Sequence, residues 1–167
     1  EVAVSNINPY LVDAEDLLLF KRSSPISAVS EIAFGSMPND GGNLLIEDDE
    51  RESLLSLEPG AAKWIRPFLG SVEFINGLRR WCLWLVNIPP SELRGLRRVS
   101  ERVALVKKAR SDSKRETTRE LAMTPALFGE IRQPSTRYIA IPKTSSENRV
   151  FVPMGFLDSD VVASTEL

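Results

Sequence analysis

The chain is 167 residues long, 43% apolar and 26% charged, with a net charge of −2, one cysteine and no histidine. That length predicts a single domain over residues 1–167, expected to be soluble and cytoplasmic because neither an apolar run of membrane-spanning length nor a signal-peptide pattern occurs. The missing histidine removes imidazole nucleophile pairs and metal ligands, and the lone cysteine removes internal disulfides and structural zinc; a carboxylate-only magnesium site or a two-carboxylate acid/base pair is still open.

Glu1 stands where a starting methionine would, which is read as excision from a longer polypeptide. Residues 7–13 and 17–20 are expected as short extended pieces, broken at Ser23-Ser24-Pro25. Within the first piece, Asn8-Pro9-Tyr10 is one proline short of the Asn/Asp-Pro-Pro-aromatic loop with which amino-methyltransferases hold a target amine. Asn8 is therefore read as leading into a strand, not as catalytic. Residues 34–43 form a long loop whose small and polar residues, Ser36 and Asn39 among them, permit close backbone approach.

The acidic run from Glu47 to Glu50 predicts the first turn of a helix over 48–57, where carboxylates complement the dipole. A second helix is expected over 60–68. Asn76-Gly77 lies between apolar segments 73–75 and 78–86 and predicts a type I′ hairpin, with Cys82 buried in a central second arm. Trp64, Trp81 and Trp84 sit in apolar patterns and are read as core. Past Pro89-Pro90, Ser91 is a good N-cap. Leu93, Leu96, Val99, Val103 and Val106 then recur at three and four, predicting one amphipathic helix to about residue 110. A shorter helix over 114–122 and extended segments at 137–142 and 150–154 complete the chain. The sum is an α+β fold, a mixed or antiparallel sheet with a helical middle. It is not a Rossmann fold, since there is no regular β-α alternation and no G-x-G-x-x-G loop.

The small net charge hides an asymmetry. Residues 1–60 hold twelve acids and three bases, whereas residues 61–167 hold eleven acids and eighteen bases. The bases concentrate in a helical sub-region, about 90–122, where the stretch 94–119 sets ten cations against three acids. With the apolar stripe facing inward, those cations lie on the remaining faces and can track successive phosphates of a polyanion. Candidate backbone contacts are Arg94, Arg98, Arg102, Lys107, Lys108 and Arg119, with Ser36 and Asn39 from the long loop. A second candidate is the turn 143–149, which offers Glu147, Asn148 and Arg149, side-chain types that discriminate base edges in the major groove. The alternative is a protein–protein interaction domain whose basic helix docks on an acidic surface.

Several segments resemble, in order over almost the whole chain, the target recognition domain of MmeI-like restriction-modification enzymes. They are Asn8-Pro9-Tyr10-Leu11, the stretch 34–42, Phe74-Ile75-Asn76-Gly77, Arg80-Trp81-Cys82-Leu83-Trp84-Leu85, 118–122, 128–134, Ser145-Ser146-Glu147 and 152–156. The resemblance implies a DNA-reading module of a longer polypeptide that also carries an adenine-N6 methyltransferase using S-adenosylmethionine and a fused endonuclease. It further implies that this fragment holds no cofactor and no catalytic residue. Its partners would be double-stranded DNA and the methyltransferase domain of the same polypeptide. Glu147 and Arg149 would be the first base readers, with Asn148, Lys114 and Arg115 next.

Overall fold

The computed structural model describes residues 3, 5–16, 18, 20–29 and 32–167, and the chain divides into two compact units, residues 1–32 and 33–167. In the first unit the expected extended piece at 7–13 is instead a turn. The Asn8 side-chain oxygen accepts the Tyr10 and Val12 N–H groups at 2.9 and 3.2 Å, and Leu11 adopts a φ of 60°. An asparagine that satisfies its neighbours' backbone in this way forms a local turn in place of a strand. Leu17 and Leu19 of the second expected piece lie outside the described residues.

The second unit opens with strand β1 (Leu45–Ile46) and helix α1 (Asp48–Leu57), whose first turn carries Asp48, Asp49 and Glu50 as expected. A 3-10 helix, Pro59–Trp64, then passes directly into strand β2 (Ile65–Leu69). The helix expected over 60–68 thus covers only the first part of that stretch. A short apolar run is ambiguous between helix and strand, and here the pairing with strand β3 (Trp81–Leu83) decides it. Helix α2 (Ser71–Asn76) replaces the expected hairpin arm. Gly77 has the positive φ that Asn-Gly signals, 66°, but uses it to end a helix.

One helix was expected to reach residue 110, but two are present: α3 (Pro90–Gly95) and α4 (Arg97–Ser111), separated at Leu96. Helix α5 (Glu116–Glu120) and a 3-10 turn, Leu121–Met123, follow. Strand β4 (Tyr138–Ala140) pairs antiparallel with β5 (Gly155–Leu157), so the late extended segment forms its ladder just beyond the expected 150–154. Strand β6 (Val162–Ala163) closes the main sheet in the order β1-β3-β2-β6, antiparallel except for the β2–β6 pair. The fold is the α+β arrangement with a mixed sheet that the sequence predicts.

The core lies between this sheet and α4. Leu44, Ile46, Phe68, Cys82, Leu83 and Leu85 meet Val99, Val103 and Val106 there. Trp84 and Phe68 both pack edge-to-face on Phe128, with centroids 5.0 and 5.9 Å apart. Burial pushes the Cys82 thiol up to about 12, so it behaves as a small apolar residue. Among the described residues, no helix is long and apolar enough to cross a membrane.

Candidate nucleic-acid interface

Helix α4 turns its valines to the sheet, which leaves Arg97, Arg98, Lys107 and Lys108 on the outside. Its N-terminus is held by a residue from far away in sequence: the Glu58 carboxylate accepts the Arg98 N–H at 2.6 Å and the Val99 N–H at 3.4 Å. A carboxylate at this end satisfies otherwise orphan donors and complements the dipole. On the exposed side, Arg98 lies 3.6 Å from Glu101, and Lys108 donates to Asp112 at 2.6 Å, a bond that raises the Lys108 pKa. Such exposed pairs hold their cations only weakly. Arg94 and Lys107 are exposed and engage no ion pair or side-chain hydrogen bond among the described residues.

Arg102 behaves differently from its neighbours. Its guanidinium donates to the Asn43 carbonyl at 2.8 Å and the Leu45 carbonyl at 2.6 Å, and lies 3.4 Å from Glu50. It therefore clamps the approach to β1 against α4. That inward use distinguishes it from the cations grouped with it on sequence grounds.

The most occupied cation is Arg110, only 1% exposed. Nε donates to the Asn39 carbonyl at 2.8 Å, Nη1 to Leu121 and Thr124, both at 2.9 Å, and Nη2 to Pro38 at 2.9 Å and Leu127 at 2.7 Å. All five guanidinium N–H groups are thus occupied. Burial lowers its pKa, and nearby Asp40 opposes the shift. Through this one side chain, α4 is tied to the loop at 38–39 and to the segment 121–127.

The same loop is fixed from its other side. The Ser36 N–H donates to the Ala163 carbonyl at 2.7 Å, and its hydroxyl accepts the Arg132 N–H at 3.0 Å. Ser36 is fully buried, so its side chain serves the scaffold and is withdrawn from the set facing phosphates. Asn39, Gly41 and Gly42 have φ values of 45°, 66° and 84°, a run whose N–H groups could form a concave anion site. The chain fills this space itself, because the buried Asp40 carboxylate accepts the Gly42 N–H at 3.1 Å and the Leu44 N–H. Asn39 is half-buried and contributes its carbonyl to Arg110. The loop's polar groups are thus engaged by the protein itself.

Two exposed elements keep their side chains free. Between α4 and α5, Arg119 donates to the Ser113 and Lys114 carbonyls, both at 3.0 Å, and shapes a turn that presents Lys114 and Arg115 to solvent. Between β4 and β5, Ser146 organises a second turn: its hydroxyl accepts the Asn148 N–H at 3.2 Å and its carbonyl the Arg149 N–H at 3.2 Å. The side chains of Glu147, Asn148 and Arg149 are exposed and make no hydrogen bond or ion pair among the described residues. No such contact joins this turn to the cationic helices among the described residues, which also contain no cluster of metal-ligating side chains.

Sequence reasoning missed Arg110 and Glu58. The signal for Arg110 was present: Val99, Val103, Val106 and Arg110 follow one another at four, three and four, so the arginine occupies the next inward position of the apolar stripe. Glu58 carried no such signal, because its partner lies forty residues away.

Comparison with known proteins adds three findings. The family described as "MmeI, target recognition domain" matches residues 13–167. DNA methyltransferase A of Bacillus subtilis (strain 168) is 39% identical over 161 residues, which is 96% of this chain and 18% of that protein. A solved structure of the type IIL restriction-modification enzyme MmeI in complex with DNA is similar with a TM-score of 0.85 and 43% identity, over 99% of this chain and 22% of that one. The chain thus spans about a fifth of the length of these relatives.

Proposed function

The chain belongs to the family of MmeI target recognition domains, and from that premise we propose that it reads the sequence of duplex DNA for a methyltransferase of a restriction-modification system. The observation that carries this reading is the division among polar side chains. Arg102, Arg110 and Arg119 close the scaffold, whereas the side chains of Arg94, Lys107, Lys114, Arg115 and Arg149 stand exposed without partners among the described residues. Arg94, Arg98, Lys107 and Lys108 contact phosphates and set register, and Glu147, Asn148 and Arg149 contact base edges, with Lys114 and Arg115 next to them in rank. Arg119 and Asn39 act through the turns they hold.

Methyl transfer from S-adenosylmethionine to adenine N6 is assigned to a part of a longer polypeptide outside these residues. Within this chain the glycine-rich loop is a poor cradle for such a group, since Asp40 already takes the Gly42 N–H. Recognition then serves to grip the duplex and choose which adenine leaves the stack. A restriction-modification role places this work in the cytoplasm, where the DNA lies. Similarity to an enzyme described as bound to DNA favours this reading over docking of the basic helix on an acidic protein.

The test is duplex affinity as a function of salt, measured by fluorescence anisotropy on the chain and on the longer polypeptide. A linear fall of log affinity with log salt is expected. Absence of duplex binding by the longer polypeptide, even at low salt, would sink the proposal.

A further inference from the structure

The segment 152–157 alternates strictly. Val152, Met154 and Phe156 point outward and are 61%, 60% and 63% exposed, while Pro153, Gly155 and Leu157 are half-buried. Across the ladder, Ile139 pairs with Phe156 on the outer face and is 56% exposed. The inner face packs Tyr138, Ala140 and Leu157 with Leu69, Phe74 and Leu167. A ribbon apolar on both faces is the pattern of a strand buried on both sides, and a contiguous exposed apolar patch marks an interaction surface. Among the described residues of the unit 33–167, one side is left uncovered.

Its chemistry indicates what covers it. The Arg137 guanidinium stacks on Phe156 at 4.8 Å from the ring centroid and lies 3.6 Å from Asp158. Four apolar side chains accompanied by one arginine and its opposing aspartate do not match the polar, strongly cationic character of a DNA contact. They match the apolar centre of a permanent protein interface. The relatives supply the scale: this chain covers 18% of one and 22% of the other, so most of such a polypeptide lies outside it.

We propose that Ile139, Val152, Met154 and Phe156 form a docking face for an apolar surface elsewhere in the longer polypeptide. This rests on the reading that the chain is one module of a methyltransferase. The contact has a functional consequence, because the turn with Glu147, Asn148 and Arg149 leads directly into this ribbon. Clamping β5 from outside fixes the proposed base readers relative to the catalytic part, so that sequence choice and target position share one frame.

Oxidative footprinting of the longer polypeptide by peroxide, read by mass spectrometry, tests this without any substitution. Met154 is compared with itself in the denatured protein and with Met123, which is 85% exposed in this fold. The expected result is oxidation of Met154 about tenfold slower than in the denatured protein, without DNA and at every protein concentration. Protection that appears only with duplex would overturn the proposal in favour of nucleic acid, and protection that appears only at high concentration would overturn it in favour of a second copy. Oxidation at the denatured rate throughout would show the face bare. Duplex affinity measured on the same material reports separately on the DNA reading, so either conclusion can fail alone.

Discussion

Arg110 and Arg149 carry the same guanidinium into opposite surroundings. Around Arg110, five carbonyls from two segments converge on one buried side chain; around Arg149, a short serine-organised turn holds the backbone and leaves the side chain in solvent, unpaired among the described residues. The buried site joins helix, loop and 3-10 turn into one body, and its donors are saturated. At the exposed site, no hydrogen bond or ion pair among the described residues depends on the side chains. Residue type therefore says less about role than the state of its hydrogen-bonding groups. The region around α4 shows the same contrast at closer range, with Arg102 facing inward and Lys107, five residues on, facing out.

The comparison can be broken most directly at Arg110. Arg110→Met leaves buried carbonyls without donors, and at about 1 to 3 kcal/mol for an unsatisfied buried group the loss of stability is expected to reach about 3 kcal/mol or more. Urea denaturation measures it. Arg110→Lys restores only part, since an ammonium cannot reach all five acceptors. A loss below about 0.5 kcal/mol, the range of an ordinary surface change, would show that the convergence is not a brace.

Next comes the other anchor of the same loop. A Cβ on Gly35 would collide with the Ser164 and Ala163 carbonyl oxygens, which are backbone and cannot swing aside. Gly35→Ala is expected to cost about 1 to 3 kcal/mol, as overpacking does, again by urea denaturation.

The exposed turn should respond in the opposite way. Glu147→Ala and Arg149→Ala are expected to change stability by less than about 0.5 kcal/mol, while altering preference among DNA sequences by about 1 to 3 kcal/mol. Competition binding against a panel of duplexes reads the second effect. Unchanged preference in both variants would remove these residues as base readers. Lys107→Ala should be milder still, weakening all duplexes alike and making the salt dependence shallower by about one unit of slope.

The smallest effect is a null in the folded core. With its thiol held near 12 and fully buried, Cys82 is expected to resist alkylation at pH 8 in the folded protein and to react once urea unfolds it. Rapid modification of the folded chain would contradict the central placement of β3.

Much of this arrangement was legible in the sequence, and the parts that were not share a cause. The bounds of α1 follow from a local acidic start and the apolar positions after it, and the inward stripe of α4 follows from its spacing alone. The positive φ at Gly77 was also legible, because Asn-Gly favours it in any context; whether it closes a hairpin or ends a helix is settled by what the flanking residues pack against. Likewise 65–69 becomes a strand because β3 and β6 flank it.

For the candidate site, the sequence by itself determined the cationic character of 94–119, the free polar turn at 147–149 and, through ordered motifs, the family. Only the tertiary structure decided which cations remain available. Whether an arginine meets solvent or five carbonyls depends on segments as far apart as Pro38 and Leu127. Local sequence preference cannot encode such convergence, because a buried charge is tolerated only where every partner arrives together.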